Sequence, residues 1–143
     1  MATAAWTGTY EELPLGASET SSQLIDGGAI DNFADAIQSF NPIHMDGEWA
    51  RENTPYPDRI AHGVMTTALM SKPLVQFCER YKIRTALLSS NSKYIRAVVA
   101  GDTVTTKIHL AEKADEKKRI RFEVESKNQR GEVVMIGELL EQC

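Results

Sequence analysis

The chain has 143 residues, 42% hydrophobic and 25% charged, which is enough for one domain with a real core and argues against disorder and against membrane spanning. A net charge of -4 argues against the concentrated basic surface that a phosphate-backbone binder uses to displace counterions, so neither nucleic acid nor a membrane is an expected partner. The start Met1–Trp6 lacks the basic and apolar runs of a signal peptide, no stretch approaches the roughly 18 apolar residues of a spanning helix, and Cys78 and Cys143 are not expected to pair, so the cytoplasm is the expected location.

Between Trp6 and Leu24, Thr, Ser, Tyr and Leu residues surround Pro14 and Gly16, a pattern that predicts a short strand, a turn and a second strand. Ile30, Phe33, Ala34 and Ile37 then recur at helical spacing over Ala29–Gln38, with Asp26 placed to cap the helix. Pro42 must break it, because proline disfavours helical geometry in the residue before it and has no amide hydrogen to donate. Asp46 is expected to cap a short helix through Trp49 and Arg51. The loop Asn53–Asp58 carries two prolines and leads to Ile60–Gly63. Val64–Tyr81 is the most apolar window and predicts a long buried helix kinked at Pro73, with Cys78 a packed small hydrophobe.

Ala86–Val99, Thr103–Leu110, Arg119–Lys127 and Val133–Leu140 are rich in Val, Ile, Leu and Thr and predict four antiparallel strands. Gly101-Asp102 and Asn128–Gly131 supply turns, and the charge run Glu112–Lys118 reads as a solvated hairpin tip. The expected product is a single α+β domain over residues 1–143, a sheet wrapped on a central helix.

Phe33–Asp46, with Asn41-Pro42-Ile43-His44 at its centre, resembles the hydratase motif of the MaoC-like, R-specific enoyl-CoA hydratase family, and Arg59–Thr67 resembles the segment leading into that family's central helix. Gly101–Val104 and Arg121–Val134 are similar to its last strands, so the resemblance extends from about Gly28 to Leu140. It implies a hotdog fold associated as a homodimer or higher oligomer. It also implies an acyl-CoA or acyl-carrier-protein thioester as substrate beside the central helix, with that carrier and no separate cofactor. The family places an Asp five residues before its histidine; here that position is Ser39.

Hydrating an enoyl thioester needs a base for the water proton, an acid for the α-carbon and donors that polarise the thioester carbonyl. His44 is the expected proton carrier, titrating near neutrality and aimed by the rigid Asn41-Pro42 lead-in. Ser39 can donate, accept or position water, but it cannot replace a carboxylate, because its hydroxyl is not deprotonated near neutral pH. Asp35, one helical turn before Ser39, is a conceivable stand-in, whereas a solvated helix face is the commoner fate. Gly63, opening the helix, is the expected carbonyl site through its N–H. Asn41, Ser71, His62 and Met65 are expected beside the substrate, Ser71 because the family has a serine near its reactive pair, and His62 chiefly in a structural role. Met65, Leu69, Met70 and Leu74 suit either an acyl tunnel or plain core. His109 is expected to be exposed, and the three histidines lack metal-ligand spacing.

An enzyme is the favoured reading: a lyase of the enoyl-CoA hydratase or 3-hydroxyacyl dehydratase type. A thioesterase, isomerase or cyclase using His44 alone, or a non-catalytic partner subunit, are the alternatives, since fold alone does not separate them.

Overall fold

The computed structural model describes residues 5–143, so part of the N-terminal reading, residues 1–4, lies outside the described residues. The chain runs β1 (Ser18–Ile25), α1 (Gly27–Ile37), α2 (Pro42–Met45), α3 (Gly47–Asn53), α4 (Gly63–Ala68), α5 (Ser71–Tyr81), β2 (Ala86–Tyr94), β3 (Asp102–Ala114), β4 (Arg119–Lys127) and β5 (Val133–Gln142). The five strands form one antiparallel sheet in the order β1-β3-β4-β5-β2.

Alternation decides which side faces the core. Val104, Thr106, Ile108 and Leu110 on β3, and Ile120, Phe122 and Val124 on β4, all point inward onto the helices. Phe77 of α5 meets Phe122 edge-on with ring centroids 4.9 Å apart, and both rings are fully buried. The one polar pair in this layer, Thr106 and Ser126, shares a hydrogen bond of 2.8 Å, as buried hydroxyls require. The α+β arrangement, a sheet wrapped on a central helix, is the one the sequence predicts.

Two of the expected elements take a different form. The strand expected just after Trp6 is absent; Tyr10–Glu12 make a 3-10 turn instead. The Glu12 carboxylate accepts from the Thr9 amide at 3.2 Å and from its hydroxyl at 2.9 Å, so this segment satisfies its polar groups locally while Tyr10 and Leu13 enter the core. The strand predicted to reach Val99 ends at Tyr94; beyond it only Val99 pairs, in a bridge to Ile60.

The central helix does bend. Leu69 and Met70 keep right-handed helical angles between α4 and α5, but the Leu69 amide is shared between the Met65 and Thr66 carbonyls and the Met70 amide bonds to Thr67, three residues back. Pro73, in the first turn of α5, explains the position: its ring would crowd the Leu69 carbonyl, and it has no N–H to offer that oxygen. Asp26 caps α1 through a 2.9 Å bond from the Ala29 amide, and Asp46 caps α3 through a 3.0 Å bond from the Trp49 amide, both as predicted. Ile37, assigned to the buried stripe of α1, is 43% exposed because the helix ends there, with Gln38 in the left-handed conformation. No helix among the described residues is long and apolar enough to cross a membrane.

At the edge, β2 leaves one side of its backbone unpaired, and Leu87, Leu88, Tyr94 and the following Ile95 are exposed. Gly137 on β5 lets β2 come close: a Cβ there would lie 2.2 Å from the Asn91 carbonyl oxygen.

Candidate active site

Asn41 shapes the turn that presents His44. Its side-chain oxygen accepts from the Ile43 amide at 3.1 Å, and Pro42 opens α2 with a backbone angle already suited to a helix. Asn41 is therefore committed as a cap and is exposed. One turn later, His44 is held by its own ring, with Nδ1 2.7 Å from the Ile60 carbonyl oxygen. A carbonyl can only accept, so Nδ1 carries the proton and Nε2 remains as the basic nitrogen.

The segment that supplies Ile60 is fixed at both ends. Arg59 pairs with Asp31 of α1 at 2.6 Å, and the Ala61 amide donates to the Val98 carbonyl at 2.8 Å. His62 follows, buried, and its ring stacks on that of His44 with centroids 3.9 Å apart and planes 26° from parallel. His62 Nε2 donates to the Ser39 carbonyl at 3.0 Å, and its Nδ1 has no partner among the described residues. His62 thus supports His44 from behind and, although expected beside the substrate, does not line the cavity that His44 enters.

Burial pushes the His44 imidazole below its ordinary titration range. The bond to the Ile60 carbonyl opposes that shift, and the His62 ring alongside adds to it. The ring is poised to be neutral near pH 7, the state in which Nε2 can take a proton.

His44 and Gly63 line one cavity of about 340 Å³, together with Tyr56, Thr66, Tyr94 and Arg96. Gly63 is the first residue of α4, so its N–H has no acceptor within the helix. A Cβ on Gly63 would sit 3.3 Å from the Tyr94 ring, so the ring lies close against this glycine and leaves little space for a side chain. The Tyr94 hydroxyl in turn meets the Thr67 hydroxyl at 2.6 Å.

Thr67 also lines a second cavity of about 550 Å³ between α5 and the β2–β5 edge, walled by Met70, Leu74, Val75, Ile83 and Leu139 with Ser71 at its side. Tyr94 lines the first space and Thr67 the second, so their hydrogen bond joins the two linings. Of the four apolar residues that suit either tunnel or core, Met70 and Leu74 line this cavity, whereas Met65 and Leu69 lie in the buried core.

Ser39 does not line the His44 cavity; its carbonyl reaches the site through His62, and its amide bonds to the Ala34 carbonyl at 3.1 Å. Asp35 is exposed and also lies away from that lining, and no carboxylate lines it among the described residues. His109 is half-buried on the outer sheet face, shielded by its neighbours on β1 and β4. Sequence reasoning missed Tyr56 and Tyr94. The β2 register against α4 decides where Tyr94 falls, and nothing local encodes that.

The family model for the MaoC-like domain matches residues 18–131. The chain is 33% identical over 132 residues to a 3-hydroxybutyryl-CoA dehydratase of Methylorubrum extorquens, covering 92% of this chain and 81% of the relative. It is 29% identical over 130 residues to an (R)-specific enoyl-CoA hydratase of Rhodospirillum rubrum, covering 90% and 87%. Among solved structures, an (R)-hydratase from A. caviae involved in PHA biosynthesis superposes with a TM-score of 0.83 at 22% identity, over 92% of this chain and 98% of that one, which establishes the hotdog fold. With a matched domain spanning most of its length and relatives aligned almost end to end, the chain belongs to the MaoC-like dehydratase family, of the acyl-CoA hydratase and dehydratase type.

Proposed function

We propose that this protein adds water to, or removes it from, an acyl-CoA or acyl-carrier-protein thioester, with His44 as its one strong proton carrier. The observation that carries the reading is the commitment of His44 Nδ1 to the Ile60 carbonyl, which leaves Nε2 as the base in a cavity shared with the Gly63 amide.

A cycle with one base closes. Nε2 takes a proton from water as the hydroxyl bonds to the β-carbon of a 2-enoyl thioester. The electron pair of the double bond moves onto the thioester carbonyl, where the Gly63 N–H stabilises the developing charge. The imidazolium then returns its proton to the α-carbon on the same face, so the net change is the addition of one water. Dehydration is the reverse. Ser39 stands where the family carries a carboxylate, and turnover below that of a two-group hydratase is expected. Asn41 keeps the turn rigid, Ser71 borders the acyl side, Met65 packs in the core behind it, and His62 holds the base in place. The carrier is the thioester's own CoA or protein, and no further cofactor is required.

The unpaired edge of β2 with its exposed Leu87, Leu88 and Ile95 supports pairing of two copies along that strand, and a cytoplasmic location follows from the substrate class. The absence of a carboxylate from the His44 cavity lining, among the described residues, favours one second reading: hydrolysis of the thioester with His44 as general base. Purified protein with crotonyl-CoA and a medium-chain enoyl-CoA separates the two. Loss of the conjugated thioester without free thiol supports hydration, thiol release supports hydrolysis, and neither change refutes both on these chains.

A further inference from the structure

The last inward-facing position of β5 breaks the rule its strand otherwise follows. Met135 and Leu139 face the core, and at Glu141 the next buried side chain on that face is a carboxylic acid that is 1% exposed. It lines the distal part of the 550 Å³ cavity, beside Cys78 and Thr85. Its Oε1 has no hydrogen-bond partner among the described residues, in a chain that pairs its other buried acids there, Glu19 with Arg80 and Asp102 with the Val99 amide and the Gln129 side chain. A buried carboxyl oxygen without a partner is disfavoured unless something else satisfies it.

Resting on the acyl-thioester reading above, we infer that Glu141 is a specificity determinant, recognising a hydroxyl group carried at the far end of the substrate's acyl chain. The rest of the wall is apolar: Met70, Leu74, Val75 and Ile83 suit the methylene chain, while Glu141 offers a polar contact deep in the cavity.

Burial pushes the Glu141 carboxyl above the ordinary carboxylate range, with the Thr85 hydroxyl bond opposing. A neutral acid has one donor and one acceptor, and a hydroxyl complements both. A terminal ammonium would need the ionised form and would bring its own desolvation cost into an apolar space. Nucleophilic chemistry at this end is disfavoured, since burial raises the Cys78 thiol and pushes that of Cys143 up to about 11. A site built to bond a hydroxyl discriminates against a chain that lacks it, because the buried polar group is then left unmet.

The test uses saturated ligands, so turnover plays no part: calorimetric titration of the intact protein with octanoyl-CoA, ω-hydroxyoctanoyl-CoA and suberyl-CoA. The wild type is expected to bind the hydroxylated chain at least about tenfold tighter than octanoyl-CoA, the worth of one good hydrogen bond. Glu141→Leu should erase that preference, and Glu141→Gln should retain part of it. Equal affinities for octanoyl- and ω-hydroxyoctanoyl-CoA, a preference that survives in Glu141→Leu, or tightest binding of suberyl-CoA through nearby Arg84 would each overturn the inference. Binding of none of the three would overturn the acyl-thioester reading together with it, which sets that failure apart. If Glu141→Leu does not fold, the wild-type ratio and Glu141→Gln decide the matter alone.

Discussion

Replacing His44 by Asn separates anchoring from proton transfer. The Asn side chain carries an N–H group at the branch where His44 has Nδ1, so it can still donate to the Ile60 carbonyl that now lies 2.7 Å from the ring. What it lacks is Nε2. Loss of a general base typically costs a hundredfold to ten-thousandfold, about 3–5 kcal/mol of barrier. His44→Ala removes the base and the anchor together. It should lose the same activity and, in addition, about 1 kcal/mol of stability from the lost hydrogen bond, with some further loss from the stacking on His62 at 3.9 Å. The assay is the decay of the conjugated enoyl thioester under single-turnover conditions, beside urea unfolding of each variant. Full turnover in a folded His44→Asn protein would refute the assignment of Nε2 as the proton carrier. Equal destabilisation of the two variants would refute the separation of roles.

The pH dependence follows from the direction of the His44 shift. Activity should hold across neutral pH and decline on the acid side of the ordinary value of 6.5, by about tenfold per pH unit once the ring is protonated, because only the neutral ring is a base. Stability should also fall as pH drops below 6.5, since the unfolded imidazole takes up its proton before the folded one; stability that rises over this range would contradict the shift. Gly63→Pro removes the N–H, at a helix position where proline is well accepted and after a residue already at ψ 138, and also sets a Cβ 3.3 Å from the Tyr94 ring; with Gly63→Ala, which adds the Cβ and keeps the N–H, as the control, kcat is expected to drop about a hundredfold or more in the proline variant alone. Ser39→Asp should raise hydratase kcat/KM by about a hundredfold or more if that position is the family's acid position, and no gain in a folded variant would remove that equivalence. Leu87→Lys on the free edge should shift sedimentation toward the monomer, and an unchanged dimer would move the interface elsewhere.

Much of this architecture is readable from the chain because local chemistry and tertiary demand agree. Asp26 and Asp46 each precede a helix with a side-chain oxygen at capping distance, and Pro73 marks the bend in the central helix, all from short-range geometry. Where they disagree, the sequence misleads. Tyr10 and Leu13 lie in a stretch of Thr, Ser, Tyr and Leu that reads as strand, yet the Thr9–Glu12 pair closes a turn that satisfies polar groups locally. Ile95–Val99, read from sequence as the continuation of the strand, leaves the sheet, and Val99 meets Ile60 in an isolated bridge.

The candidate site divides in the same way. His44 and Gly63 stand out because proline and glycine constrain the backbone around them. The stacking of His62 on His44, the placement of Tyr94 over Gly63 and the burial of Glu141 depend on strand register and helix packing between distant segments, which no local pattern encodes. The resemblance implies that Ser39 occupies the family's acid position, whereas its absence from the cavity lining is a tertiary fact.

The most direct test is a crystal structure of the protein with a thioether analogue of an acyl-CoA that keeps the carbonyl but cannot react. The carbonyl oxygen should lie within hydrogen-bond reach of the Gly63 amide, with the β-carbon facing His44 Nε2 across room for one water. A ligand seated on another face, with His44 and Gly63 untouched, would contradict the shared cleft on which the chemistry is built.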